Sequence, residues 1–431
     1  MHDPPTRPTR TRFVVLAFLC ALAFVLYLDR VCISQAATSI KADLGLSNQA
    51  FSFVLMAFTL AYGIFEVPTG HWGDRIGSRA VLTRIAVWWS AFTAFTAACT
   101  GFYSLIVVRF LFGAGEAGAF PNVARIVARW YPPRERGRIQ GFIQTAALVG
   151  GAAAPMVAAY LIRDLGWRWA FVVFGLTGVV WAGIFYLWFR DDPEHHSSVN
   201  PAELELIGPP GSSGSTHHAA IPWRAALSCP SIWLLGFITT CGAFNSYFYF
   251  SWYPTYLKEG RGLDNIVAGQ LASLGLAFGA AGTLSGGFLA DWARSTPRKR
   301  LVGSVSFVLA AIALFASVFA DQPLLAAILA ALSVLAAQAT LSIWWSSAIE
   351  ISGRHLGALF GLMNGMGVFG AMGSQFFVGA FVDWRKHHGH EGREQWDPIF
   401  AVYVVVLLLA AVSWACYQSR PVEEPHETHP A

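Results

Sequence analysis

Charge is what this sequence has least of. Asp, Glu, Lys and Arg make up 13% of its 431 residues, about half the share of an average soluble domain, which excludes a chain solvated on every side. The six cysteines form no framework: Cys20, Cys32, Cys99, Cys241 and Cys416 fall in apolar runs and Cys229 sits just before one, so they read as small packing residues. Histidine is nearly missing from the apolar runs, with His71 and His355 at their edges, and no nucleophile–base pair or ligand cluster is in sight, so an enzyme is not expected. The adjacent pairs His195–His196 and His217–His218, and the stretch "HHGHEGRE" (387–394), lack ligand spacing and read as solvated. No metal and no cofactor are expected.

What the sequence does have is length of apolar run. Twelve stretches are each long enough to cross a hydrocarbon core of about 30 Å as helix: 12–33, 50–70, 80–100, 103–126, 138–162, 169–189, 231–257, 266–290, 301–320, 324–349, 356–382 and 398–417. None alternates in the manner of a barrel strand, and backbone groups in lipid must be satisfied within each segment, so the class is an all-α polytopic membrane protein. The first run follows a basic front and imitates a signal peptide, but Asp29 and Arg30 interrupt it where cleavage would begin, so it is expected to be retained.

With twelve spans and both termini on one face, 19 of the 29 Lys and Arg fall on that face, in the clusters around Arg79, Arg134 and Arg298, and eight on the other. The positive-inside rule then puts both termini on the cytoplasmic side of the membrane. That same distribution explains the net charge of +4 without a nucleic-acid surface; the lipid bilayer is the expected surrounding and a monomer the expected state. Two arginines are left over, Arg30 and Arg109.

The chain reads as two halves: 1–189 and 223–431, six helices each, joined by a cytoplasmic linker at 190–222 rich in Pro, Ser, Gly and His. "GHWGD" (70–74) matches "GFLAD" (287–291) at an offset of 217, and "GRIQG" (137–141) matches "GALFG" (357–361) at 220. Matches at nearly one offset, each at the same place in its half, argue for two pseudo-symmetric six-helix bundles. "GAGEAG" (113–118) imitates a dinucleotide fingerprint, but the βαβ unit it requires has no place among membrane spans. Small residues that let helices touch explain it, as they do Gly275, Gly279, Gly282 and Gly286.

The intramembrane charges are the chemistry. Phe13 to Leu28 is 16 apolar residues, about 24 Å of helix, too short to span, so the first helix must carry Asp29 and Arg30 inside the membrane, where charge faces the bundle or water. Neighbours on a helix point about 100° apart, whereas Tyr27 shares a face with Arg30. That face is expected to look into a central cavity, and Asp29 into the bundle. Arg109 and Glu116, seven apart, share a stripe in span 4, beside which Asp29 is expected to sit, giving a balanced network of two acids and two arginines. Proton uptake by Asp29 or Glu116 would release an arginine to attract an outside carboxylate, which links protons to an anion.

"GHWGDRIGSR" (70–79) resembles the signature loop of the major facilitator superfamily, and "YLDR" (27–30), "GAGEAGAFPN" (113–122) and "RWYPPRERGRIQG" (129–141) resemble its anion:cation symporter family, in particular the bacterial transporters of galactonate, glucarate and hexuronates. The resemblance implies a proton-coupled symporter of a sugar acid, working by alternating access. It implies proton sites at Asp29 and Glu116, tuned by Arg109, a carboxylate held by Arg30, and substrate contacts at Tyr62 and Trp344. Where relatives place a substrate-binding Gln, this chain has Ala147, with Gln144 three residues earlier. Beside these, Asn245 and Tyr249 near the helix-breaking Pro254, Ser342, and Asn364 in "GLMNGMGVFG" are candidate cavity residues, while Trp252 and Tyr256 are assigned to an interfacial aromatic belt. Gating is expected of Asp74 with Arg75 or Arg79, of Glu66, and of Asp291, the counterpart of Asp74. Exchange of organic anions or phosphates on the same fold, and a transport-like sensor, are the alternatives.

Overall fold

The helix that opens the chain, α1 (Thr11–Leu44), is 34 residues long, about 51 Å. It overruns the expected 12–33 because "SQAATSIKADL" contains nothing to stop a helix; it ends where Gly45 takes φ +64 and its N–H caps Lys41 O. The computed structural model describes residues 7–208, 227–352 and 356–419, with the side chains at 67, 70–76, 133, 356–358 and 360 outside the description.

After α1 come α2 (Asn48–Ile76), α3 (Ser78–Thr96), α4 (Phe102–Glu116), α5 (Ala119–Trp130) and α6 (Pro133–Trp188). A short α7 (Pro201–Ile207) precedes α8 (Pro230–Ser251), α9 (Asn265–Trp292), α10 (Thr296–Phe319), α11 (Pro323–Gln338), α12 (Leu341–Ser352), α13 (Leu356–His387), α14 (Gly392–Trp396) and α15 (Ile399–Cys416). The protein is all-α. Nine helical stretches among the described residues are long and apolar enough to cross a membrane. One of them, Arg134–Trp188, is two helices meeting at Gly166, whose φ of +80 and ψ of 162 leave the helical region, at the place where the sequence separates spans 5 and 6.

The chain divides into two compact units, Met1–Ser215 with Asp264–Ser273, and Thr216–Leu263 with Leu274–Ala431. In the first, α1 and α3 pack along α6, and α4 lies against α2 and α3. Leu19, Leu22 and Leu26 of α1 meet Trp89, Phe112, Trp181 and Phe185 in its interior. The "GAGEAG" glycines allow this approach: a Cβ at Gly113 would stand 2.5 Å from Phe58 O, and one at Gly115 would overlap the Trp88 ring. Gly118, at φ +85, turns the chain between α4 and α5 beside Thr69. In the second unit Gly282 and Gly286 of α9 bring that helix onto the carbonyls of Leu335 and Ala339.

Two expectations are corrected. The interval 190–222, read as a flexible linker, is folded over residues 190–208. Asn200 caps α7 by accepting Glu203 N–H at 2.9 Å and donates to Arg7 O at 2.8 Å. Glu203, fully buried, accepts N–H groups of Thr11 at 3.3 Å and Arg12 at 3.1 Å, and the Thr9 hydroxyl. It thereby places a carboxylate at the N-terminus of α1. His196 sits edge-on to Trp188 and Trp130, at 4.5 and 5.7 Å. The second correction concerns the aromatic belt. α8 ends at Ser251 with Trp252 as its cap, just before Pro254, and a wide turn, Tyr256–Gly260, follows. Trp252 is fully buried and donates to Gln375 O at 3.1 Å; Tyr256 is 3% exposed and donates to Asp397 at 3.1 Å. Neither reaches lipid.

Candidate functional site

The site grows from the middle of α1. One residue apart on a helix, Asp29 and Arg30 diverge. Asp29 is fully buried; its Oδ2 accepts Trp89 Nε1 of α3 at 3.2 Å and its Oδ1 has no partner. Arg30 turns the other way and keeps 18% of its side chain exposed, against 1% for Glu116 of α4, with which it forms an ion pair.

That ion pair is one-sided. Arg30 Nε donates to Glu116 Oε1 at 2.8 Å and Nη2 donates to the same oxygen, while Glu116 Oε2 is buried with no partner. Around the guanidinium stand three rings: Tyr62 at 4.7 Å, Tyr27 at 5.1 Å and Phe58 at 5.2 Å. The rings shield the cation from bulk water and offer their faces to it. Two of them, Tyr27 and Tyr62, also carry hydroxyls.

Arg109 lies in the same interior and interacts electrostatically with Glu116, Arg30 and Asp29. It is 2% exposed, its guanidinium lies over Phe112 at 4.4 Å and Phe58 at 5.2 Å, and its Nε has no partner. Phe58 thus contacts both guanidiniums. The four charges interact electrostatically as a group; within it Arg30 and Glu116 form a direct ion pair, while Asp29 and Arg109 also lean on aromatic neighbours. α3 presents an indole N–H to Asp29.

The other candidates divide between the units. In the first, Glu66 and Gln144 are half-buried, whereas Ala147, where relatives are expected to carry Gln, is sealed in the core. Arg79 is committed away from the signature loop: its amide donates to Asp191 at 2.9 Å, its Nε to Tyr186 O at 2.9 Å, and its guanidinium covers the Tyr186 ring at 4.4 Å. The side chains of Asp74 and Arg75 lie outside the described residues, and Asp291 of the second unit is exposed.

In that second unit, Asn245 is 1% exposed with Oδ1 lacking a partner. Ser342 is half-buried and Asn364 exposed. Tyr249 is buried and donates to Ala330 O at 3.2 Å, and Trp344 donates to Leu235 O at 2.8 Å. Their polar atoms serve the packing of helices.

Sequence reasoning missed Phe58 and Trp89. Phe58 was marked by its place four residues before Tyr62, on the same helical face; Trp89 carried no signal beyond an indole inside an apolar run.

The sequence model of the Major Facilitator Superfamily matches residues 19–375. The chain is 34% identical to the "Probable sulfoacetate transporter" of Cupriavidus necator over 85% of this chain and 87% of that one. It is 28% identical to the "Probable galactarate/D-glucarate transporter" of Bacillus subtilis over 88% of each, and 27% identical to the hexuronate transporter of the same species over 86% and 89%. Among solved structures, a bacterial homolog of the human lysosomal transporter Spinster superposes with a TM-score of 0.80 at 22% identity, covering 95% of this chain and 97% of that one. A D-xylose–proton symporter does so with 0.72 at 15%, covering 95% and 99%. This chain belongs to the Major Facilitator Superfamily of transporters.

Proposed function

We propose that this transporter carries a small organic anion, a sugar acid foremost, in symport with protons. In this reading twelve spans in two six-helix halves lie in the bacterial inner membrane with both termini cytoplasmic, and transport proceeds by alternating access. The observation that carries the reading is the one-sided ion pair. Arg30 is the anion receptor; Glu116 competes for it through Oε1 and has a bare Oε2 to take a proton.

Protonation of Glu116 removes its charge, and Arg30, still screened by its three rings, then exchanges the neutral acid for a substrate carboxylate. Tyr27 and Tyr62 are placed to hydrogen-bond hydroxyls of a polyol. Asp29, with one bare oxygen, is a second proton site, and Arg109 sets the local field without touching substrate. Asn245, Gln144, Asn364 and Ser342 remain candidate contacts for the far end of the substrate. Sulfoacetate, galactarate, glucarate and hexuronates, the solutes named for the relatives, each carry a carboxylate, as this site requires.

The test is a thermal-shift screen of the purified protein with hexonates, hexuronates, aldarates and sulfoacetate, followed by flux into liposomes. Stabilisation by at least one of them, and uphill uptake driven by an inward proton gradient, are expected. Stabilisation by none would overturn the substrate class, and uptake indifferent to the gradient but driven by a counter-anion would favour exchange.

A further inference from the structure

The exchange at Glu116 leaves one acid near Arg30 without a task. Glu66 follows Tyr62 by one turn of α2, and it is half-buried. Residues four apart share a helix face at about 5–6 Å between Cβ atoms, and side chains lean toward the helix N-terminus. Glu66 therefore leans back over the turn that carries Tyr62, whose ring is 4.7 Å from the Arg30 guanidinium. Phe58, Tyr62 and Glu66 make one stripe along the Arg30 cage, with Phe58 and Tyr62 rings 6.0 Å apart.

The charged and titratable groups toward which this face looks are Arg30 and Tyr27 of α1, Tyr62 of α2 and Glu116 of α4, and Glu66 interacts electrostatically with both Arg30 and Tyr62. Among the described residues no hydrogen bond or ion pair engages its carboxylate.

We infer that Glu66 senses the second charge of the substrate. Ionised, it accepts hydroxyl hydrogen bonds from a monoanion whose carboxylate sits on Arg30, and it repels a second anionic group. Protonated, it donates to that group instead. A dianion therefore binds with one more proton than a monoanion. This rests on the reading of Arg30 as the carboxylate receptor.

Calorimetry on the purified protein between pH 6 and pH 8, with gluconate as monoanion and glucarate and sulfoacetate as dianions, tests it. The ratio of dianion to monoanion affinity should climb about tenfold for each pH unit lowered while Glu66 titrates. Glu66→Gln should make the ratio independent of pH and raise dianion affinity at pH 8 at least tenfold, and Glu66→Asp should restore the slope. A flat ratio in the unaltered protein that still binds gluconate, or a slope that survives in Glu66→Gln, overturns the inference. Binding of no sugar acid at any pH fails one step earlier, at Arg30, and removes the inference with it.

Discussion

Arg30 of α1 and Glu116 of α4, 86 residues apart in sequence, meet inside the first unit through a single carboxylate oxygen. A structural salt bridge would gain from both oxygens, since a guanidinium is a fork that matches a carboxylate edge. Here the second oxygen is buried and bare, so the pair forgoes half of what the fork could give it.

The receptor role of Arg30 predicts that the fork matters and not only the charge. Arg30→Lys should weaken gluconate binding at least tenfold and Arg30→Ala should leave no measurable heat in calorimetry. Removing one partner of a buried pair costs about 3–5 kcal/mol, so the alanine variant should also unfold at lower temperature, and the lysine variant is the cleaner test. Gluconate affinity unchanged in Arg30→Lys contradicts the role.

Asp29 depends on a neighbour that the sequence did not point to. Trp89→Phe keeps an aromatic ring but removes the part of the indole whose N–H reaches Oδ2 at 3.2 Å, and a buried acceptor left bare costs about 1–3 kcal/mol beyond the cavity the smaller ring leaves. Thermal unfolding in detergent should report that loss. A melting temperature equal to that of the unaltered protein would mean that the carboxylate is satisfied by another donor.

The strap at 190–208 should respond to acid. Burial holds the His196 imidazole below its ordinary pKa of 6.5, so the docked form binds its proton less readily than the free form. Docking is then fully favoured above about 6.5 and weakens as the pH falls through that value toward the lowered pKa. Hydrogen exchange at the amides of Thr11 and Arg12, which Glu203 accepts, should speed up below that pH beyond the intrinsic rate. His196→Phe should remove the dependence. Equal protection at pH 5 and pH 8 in the unaltered protein would contradict it.

The close approach of α4 to α3 leaves no room at Gly115, where a Cβ would fall within the Trp88 ring. Gly115→Val should cost about 1–3 kcal/mol by overpacking, seen as a lower melting temperature. Gly137→Ala, where a Cβ would meet nothing within 4 Å, should leave it in place.

The spans were legible because their signal is long and redundant: a run of 16 apolar residues before Asp29 must be membrane, and a helix in lipid has no rival. The cage was legible in part, since the period of a helix puts Tyr27 beside Arg30 and Phe58 beside Tyr62. Which acid would take Arg30 was not, because that depends on how α3 and α4 pack on α1, and one indole at Trp89 decides it. Trp252 and Tyr256 were misplaced because an aromatic ring near a span end suits an interface as well as a core, and only packing against Gln375 and Asp397 decides between them. The strap was hidden by its polar composition, although "NPAE" at 200–203 spells an N-cap, a first-turn proline and an acid in the third position.

The central claim is that Glu116 gates Arg30 by taking a proton, and Glu116→Gln in liposomes tests it most directly. Glutamine imitates the protonated acid, so the variant should exchange internal for external substrate at a rate near that of the unaltered protein, yet accumulate none against a gradient when protons are driven inward. Proton-driven accumulation at the unaltered level in Glu116→Gln would contradict the account.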